Sequence, residues 1–175
     1  MDSERSSLHP MAPSIRLPLL ALYLALVLPL PPQAPPPWRP VLLAAVVAGL
    51  GLALALTSER VELDDHGIRV GHPRWCAWWL RRGWSLPWDR VRALTPRATS
   101  QGGRVFYVED GEAAWLLPQR VARFEEFLSR FSDRSGLDTS SVMRITPPWT
   151  YRLLGVLSVL LLAAEILTLA RPPAV

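Results

Sequence analysis

The sequence contains no lysine and only one cysteine, Cys76. A single cysteine excludes an internal disulfide bond and any cysteine-rich metal knuckle, and it leaves the redox compartment undetermined. All 19 basic residues are arginine, and they only slightly outnumber the 15 acidic residues. The segment 57–150 holds 14 arginines against 12 acids. Such a mixed surface does not favour nucleic acid as a partner.

The short motifs of common catalytic sites are also missing. The chain has no serine nucleophile elbow, no phosphate-binding glycine loop and no His-Glu-x-x-His helix. Five potential metal ligands do lie close together in the sequence: Asp64, Asp65, His66, His72 and Cys76. Their spacing matches no closed zinc site, and Asp65-His66-Gly67 is typical of a turn. We therefore predict no metal, no cofactor and no enzymatic activity.

Half of the residues are hydrophobic, and the apolar residues are concentrated in blocks at 17–30, 41–56 and 153–170. Such blocks indicate membrane spans. Arg5 and Arg16 precede the first block, as in a secretory signal peptide. However, residues 31–37 contain five prolines and no small-residue cleavage site. We therefore interpret the first block as an uncleaved anchor.

These blocks divide the chain into a membrane part and a water-exposed part. The predicted organisation is a tail 1–16, a transmembrane helical hairpin 17–56 with spans at 17–31 and 41–56, a β domain 57–135, a linker 136–150, a third transmembrane helix 151–170 and a tail 171–175. The arginines nearest the spans favour the domain side, with Arg5, Arg16, Arg60 and Arg152 against Arg39 and Arg171. By the positive-inside rule, the domain should face the cytoplasm.

Between the second and third blocks, short runs separated by turn residues predict an antiparallel β meander of six or seven strands. The expected strands are a hairpin over 60–71, then 74–80, 84–88 and 89–94, and a second hairpin over 104–109 and 112–117. From 119 to 132, apolar residues recur at three- and four-residue intervals, which predicts an amphipathic helix. The fold class is therefore α+β, with one helix that closes an open end of the bent sheet or barrel.

The order of these elements resembles the bacterial pleckstrin-homology-like family of small membrane proteins. The resemblance depends on Val61–Ile68, on Leu86–Val91, and on Trp115–Pro118 with the phenylalanine-rich helix after it. It covers residues 20–133 and does not extend to the third span. It implies a small PH-like antiparallel β domain that acts as a membrane-tethered scaffold or interaction module, without shared enzymatic chemistry.

One tryptophan- and arginine-rich run is the strongest candidate for a binding surface. Its members are Trp75, Trp78, Trp79, Arg81, Arg82, Trp84 and Trp88. Indole rings sit half buried at the headgroup region of a bilayer, and guanidinium groups can bind lipid phosphates in a bidentate manner. The alternative is that two or three of these rings belong to the core. We expect the remainder to contact lipid headgroups or a membrane-protein partner.

Polar and small residues inside the predicted spans form a second set of candidates. Ser158 and Glu165 lie one heptad apart in the third span, where an ionised carboxylate is costly. Ala45, Gly49 and Ala53 form a ridge of small residues on the second span that would allow another helix to approach closely. We interpret both sets as helix-packing features.

The sequence thus predicts an integral, multi-pass membrane protein of a bacterial inner or internal membrane. Its PH-like domain should bind a membrane-protein partner, a second copy of the chain or lipid headgroups, and could assist assembly of a membrane complex. The alternative is a small subunit of a transport or enzyme complex that uses Glu165 or the His66, His72 and Cys76 cluster.

Overall fold

The computed structural model describes residues 6–80, 83–100, 102–144 and 148–169. The chain forms two units. One combines residues 1–12 with 58–146 and holds the β-strands, and the other combines 13–57 with 147–175 and holds the long apolar helices. The antiparallel α+β composition predicted from the sequence is therefore confirmed.

The first sheet has four antiparallel strands in the order β1-β2-β3-β4. They are β1 (Ser7–Pro10), β2 (Arg60–Leu63), β3 (Gly67–Gly71) and β4 (Trp84–Pro87). The predicted hairpin over 60–71 is present as β2 and β3. The assignment of residues 1–16 to a tail is wrong for β1, because Ser7 pairs with Leu63 and Pro10 with Arg60. Pro10 is compatible with this position because β1 is an edge strand.

The second sheet has three antiparallel strands in the order β5-β6-β7. They are β5 (Ala93–Ala98), β6 (Arg104–Glu109) and β7 (Ala114–Leu116). The turn between β6 and β7 is held by Asp110, whose Oδ1 accepts hydrogen bonds from the backbone N–H groups of Glu112 and Ala113. The predicted hairpin across Asp110-Gly111 is thus confirmed.

The core of the β unit combines both sheets with helix α5 (Phe124–Ser135). Three phenylalanines on one face of α5, Phe124, Phe127 and Phe131, are buried in it. Their three- and four-residue spacing is the pattern that predicted a helix. The helix begins five residues later than predicted because Arg123 adopts a left-handed backbone conformation. It ends at Gly136, which has a φ of 71°.

Two of the predicted strands, 74–80 and 89–94, are wrong. Residues 74–77 form the short helix α4 (Arg74–Ala77), and the described residues 78–80 continue it as a turn. Cys76 is buried while Trp75, Ala77 and Trp78 are exposed, so burial does not alternate as it would in a strand. Residues 88–90 form a single 3-10 turn, and β5 begins only at Ala93.

The segment predicted as a linker packs against the β unit over part of its length. Val142 is buried in the core. The side-chain amide of Gln119 donates hydrogen bonds to the backbone oxygens of Met143 and Arg104. The guanidinium carbon of Arg144 lies 5.1 Å from the ring centroid of Phe124. The linker residues Val142, Met143 and Arg144 therefore pack against the β unit.

The second unit contains helices α1 (Pro13–Val27), α2 (Leu30–Gln33), α3 (Arg39–Leu56) and α6 (Pro148–Leu169), with a 3-10 turn at Pro36–Trp38. Within the described residues, three segments are long and apolar enough to cross a membrane: Pro13–Gln33, Pro36–Leu56 and Trp149–Thr168. The first span starts at Pro13 rather than at 17, since proline is favoured in the first helical turn. Prolines at 29, 31 and 32 interrupt its end.

Helix α1 contacts both α3 and α6. The hydroxyl of Tyr23 donates a 2.8 Å hydrogen bond to the backbone oxygen of Val46. Gly49 makes this approach possible, because a Cβ at this position would lie 2.2 Å from the Tyr23 hydroxyl. Large apolar side chains on the outer faces remain exposed, as Val47 and Ile166 show. Such faces suit a lipid environment.

The first prediction concerns His9, which is fully buried in β1 and lies edge-on to Phe127. Burial lowers the pKa of His9 below its usual 6.5, although the carboxylate of Glu126 opposes the shift. The unfolded chain therefore binds a proton at His9 more readily than the folded chain does. The contribution of His9 to the free energy of unfolding should be constant above pH 6.5 and should fall as the pH decreases below that value. His9→Leu should remove this loss. Urea unfolding of the detergent-solubilised chain between about pH 7.5 and about pH 5.5 checks it. A pH dependence that survives in His9→Leu would contradict the assignment.

The second prediction concerns the contact of α1 with α3. Gly49→Ala should destabilise the helical unit by about 1–3 kcal/mol, because the added methyl group overlaps the Tyr23 hydroxyl. Tyr23→Phe removes that oxygen, so the double variant should recover part of the loss. Denaturation in increasing dodecyl sulfate, followed by helical circular dichroism, measures the coupling. Gly51→Ala is the control, because nothing lies within 4 Å of a Cβ at that position. Strictly additive losses in the two single variants would contradict the contact.

Candidate functional site

The predicted tryptophan and arginine surface separates into two groups. Trp75, Trp78 and Trp79 are 54%, 83% and 44% exposed and lie on or directly after α4. Trp84 and Trp88 lie against the core of the β unit. We use the name tryptophan surface for Trp75, Trp78 and Trp79. Of the five tryptophans in this run, these three are the most exposed.

The geometry of α4 explains why these rings face outward together. Pro73 precedes the helix, and its carbonyl accepts hydrogen bonds from the backbone N–H groups of Cys76 and Ala77. Trp75 and Trp78 are three residues apart, which places them on the same side of a helical turn. The indole N–H of Trp78 donates to the Trp75 carbonyl at 3.2 Å. Burial of Cys76 fixes the opposite side.

Cys76 connects the tryptophan surface to the chain that leaves α3. Its sulfur lies 3.3 Å from the hydroxyl oxygen of Ser58, a hydrogen-bonding distance for this pair. The thiol is also 3.6 Å from the Pro73 carbonyl, to which it donates. Ser58 is only two residues beyond Leu56, the last residue of α3. The contact therefore fixes α4 beside the start of the β unit.

Trp84 and Trp88 have structural contacts inside the β unit. The indole N–H of Trp88 donates to the Asp64 carbonyl at 2.8 Å, and its ring lies edge-on to Phe131. Trp84 stacks on Trp115, with ring centroids 5.9 Å apart. Core packing, the alternative weighed for these rings, therefore accounts for Trp88. Trp84 also lines a cavity described below.

Among the arginines near the tryptophan surface, Arg74 is exposed at the first residue of α4. Arg81 and Arg82 lie outside the described residues, so the structure places neither of them. Arg74 was not among the predicted binding residues. Its position one residue before Trp75 could have suggested it, since the headgroup argument applies equally to any arginine beside an interfacial tryptophan.

The potential metal ligands do not form a metal site in the part of the chain that the structure describes, where no three His, Cys, Asp or Glu side chains are placed to hold an ion. Asp64 instead holds the turn between β2 and β3, because its Oδ1 accepts the backbone N–H groups of His66 and Gly67. Partial burial by itself would raise the pKa of Asp64, but these hydrogen bonds lower the pKa below its usual value. Asp65 forms an ion pair with Arg134.

The polar and small residues of the helical unit differ in their surroundings. Ser158 is buried, and its hydroxyl donates to the Leu154 carbonyl one turn earlier. Glu165 is partly exposed, and its backbone oxygen accepts a hydrogen bond from Thr168. Within the described residues, no ion pair includes the Glu165 carboxylate. On the small-residue ridge, Gly49 contacts Tyr23, whereas Ala45 is exposed and Ala53 is partly buried.

Comparison with known proteins identifies a bacterial relative. No protein-family model matches the chain, and no solved structure is detectably similar to it. The chain is 38% identical over 182 aligned positions to the uncharacterized protein slr0269 of Synechocystis sp.. The alignment covers 98% of this chain and 92% of the relative, so both units are included. The chain therefore belongs to the same protein family as this cyanobacterial protein.

Proposed function

We propose that the chain is a membrane-tethered interaction module whose tryptophan surface binds the headgroup region of the bilayer. The observation that carries this proposal is the exposure of Trp75, Trp78 and Trp79 on a segment fixed to Ser58. Three adjacent exposed tryptophans are unusual on a water-soluble surface and mark an interaction site. The proposal also takes the three long apolar helices as true transmembrane spans, supported by their exposed leucine, valine and isoleucine side chains.

Chain connectivity limits how far the tryptophan surface can lie from the membrane. Consecutive Cα atoms are about 3.8 Å apart, so Ser58 lies within about 8 Å of the Cα of Leu56. Leu56 ends the second span, and the Ser58 hydroxyl contacts Cys76 in α4. The hydrocarbon core of a typical bilayer is about 30 Å thick, and the headgroup regions increase the total thickness to about 40–45 Å. The tryptophan surface is therefore within reach of the headgroups.

The chemistry of the surface favours lipid over a protein partner. Indole rings are amphipathic and accumulate at the membrane–water interface, where the ring is apolar and the N–H is hydrated. Arg74 adds a guanidinium group that suits lipid phosphate. In the sequence, Arg81 and Arg82 follow within three residues of Trp79. An anionic leaflet attracts such a cluster of positive charge.

The PH-like resemblance supports the same function. The chain has the implied antiparallel strands followed by an amphipathic helix, here with the first strand placed before the membrane hairpin. A domain fixed to the membrane on both sides of its sequence is suited to a scaffold for membrane complexes. The arginine bias around the spans favours the cytoplasmic side for this domain. We assign no catalytic role to the chain.

The third prediction tests lipid contact at the tryptophan surface. A photoreactive amino acid at Trp78, in the full chain reconstituted into nanodiscs containing anionic lipid, should form lipid adducts. The reason is that this position is 83% exposed, on a segment whose Cys76 contacts Ser58. Mass spectrometry measures the adduct yield. The same group at Glu112, which is exposed in the turn between β6 and β7, should give a several-fold lower yield.

The same photoreactive chain in native membranes separates lipid from protein partners. Lipid adducts in both preparations support the proposal. A defined protein adduct at Trp78 that replaces the lipid adducts would instead assign the surface to a membrane-protein partner. Equal lipid yields at positions 78 and 112 would overturn the headgroup contact.

The fourth prediction tests orientation. Cys76→Ala removes the native thiol, and single cysteines are then placed at Gln33 or Glu112, both of which have exposed side chains. A membrane-impermeant maleimide should label the cysteine at 33 in intact cells and the cysteine at 112 only after lysis. The reason is that Gln33 lies between the first two spans and Glu112 in the β unit. The opposite labelling pattern would place the domain outside the cytoplasm.

A further inference from the structure

A cavity at the open end of the two sheets is separate from the tryptophan surface. Its volume is about 430 Å³, and the residues that line it come from the ends of β3 and β4, from β6 and β7, and from Glu59 before β2. Gly71 and Gly83 line it on the first sheet and contribute no side chains to fill it. The volume lies within the range of small-ligand sites, which is about 300–1,000 Å³.

The walls of this cavity combine aromatic rings with one negative charge. Trp84, Trp115 and Tyr107 provide the rings. Among the described residues that line it, Glu59 alone carries a full charge. Its side chain is partly buried, and no ion pair joins it to another described residue. A partly buried carboxylate that has no cation among the described residues is a position at which a cationic ligand would be stabilised.

The rings can also receive a cation. The faces of tryptophan and tyrosine attract ammonium and guanidinium groups electrostatically. Tyr107 in β6 already makes such a contact, because the Arg97 guanidinium carbon lies 5.8 Å from its ring centroid. His72 completes the wall, and its Nδ1 is buried without a hydrogen-bond partner in the described part of the chain. His72 therefore adds a polar group to an otherwise aromatic wall.

We propose that this cavity binds a protonated organic amine, with the ammonium group at Glu59 and the apolar part against Trp84, Trp115 and Tyr107. A metal ion is disfavoured because the described residues offer no third ligand. An anion is disfavoured by the Glu59 carboxylate. The amine can come from a lipid headgroup or from a free small molecule, since Glu59 is three residues from the end of the second span.

The test uses the full chain in detergent with phenethylamine as the probe and 2-phenylethanol as its uncharged counterpart. Calorimetry and the indole NMR signals of Trp84 and Trp115 report binding. Phenethylamine should bind at least about tenfold more tightly than 2-phenylethanol, equivalent to about 1.4 kcal/mol. Equal affinities, or no binding of phenethylamine, would overturn the proposal.

Variants locate the amine and separate this site from the tryptophan surface. Glu59→Gln should remove the preference for the charged probe. Trp115→Leu should weaken the binding of phenethylamine about tenfold. The Glu59 backbone carbonyl, which accepts the Met11 N–H, is unchanged by Glu59→Gln, so the fold should persist and near-ultraviolet circular dichroism verifies it. Glu125→Gln and Trp78→Leu are matched controls that should bind normally. Normal binding by Glu59→Gln would overturn the site even if Trp78 contacts lipid.

Nanodiscs then distinguish the two sources of the amine. Competition with phenethylamine by nanodiscs that contain phosphatidylethanolamine, but not by nanodiscs of phosphatidylglycerol alone, would assign the site to a lipid headgroup. Absence of competition by both would assign it to a free amine. Equal competition by both lipids would contradict recognition of an ammonium group.

Discussion

The pairing of β1 with β2 determines how the chain is arranged. Four residue pairs, from Ser7–Leu63 to Pro10–Arg60, join segments separated by the helices α1 to α3. The ladder continues as the Met11 N–H donates to the Glu59 carbonyl at 3.1 Å. The chain therefore leaves the β unit and returns to it at neighbouring points. The antiparallel α1 and α3 helices lower the entropy cost of closing this long loop, which otherwise rises by about 0.6 kcal/mol for each doubling of its length.

The sequence predicted the elements whose signals are local and missed those that depend on distant contacts. The hairpins β2–β3 and β6–β7 have alternating residues and turn-forming aspartates, and α5 has its phenylalanine spacing. In contrast, Ser7–Pro10 is four residues long and contains a proline, and its strand conformation depends on β2. Predicting the β1 pairing would have required the knowledge that residues 11 and 59 meet, which no pattern within 1–16 contains.

The same limit applies to the candidate site. The run from Trp75 to Trp88 holds five tryptophans, and the sequence left open whether two or three of them belong to the core. The structure divides it because Pro73 and the buried Cys76 favour a helical turn, whereas Trp84 begins a paired strand. From composition alone, an interaction surface could be expected somewhere in this run. The cavity could not, because Glu59, Trp84 and Trp115 come together only when both sheets form.

Two consecutive residues after α3 connect the proposed sites. Ser58 contacts Cys76 beneath the tryptophan surface, and Glu59 pairs through its backbone with Met11 while its side chain lines the cavity. Because adjacent residues have fixed covalent geometry, the position of α4 and the position of the cavity carboxylate are not independent. If Ser58 lies at the membrane surface, Glu59 must also lie near the membrane. One short segment therefore positions both the tryptophan surface and the cavity carboxylate.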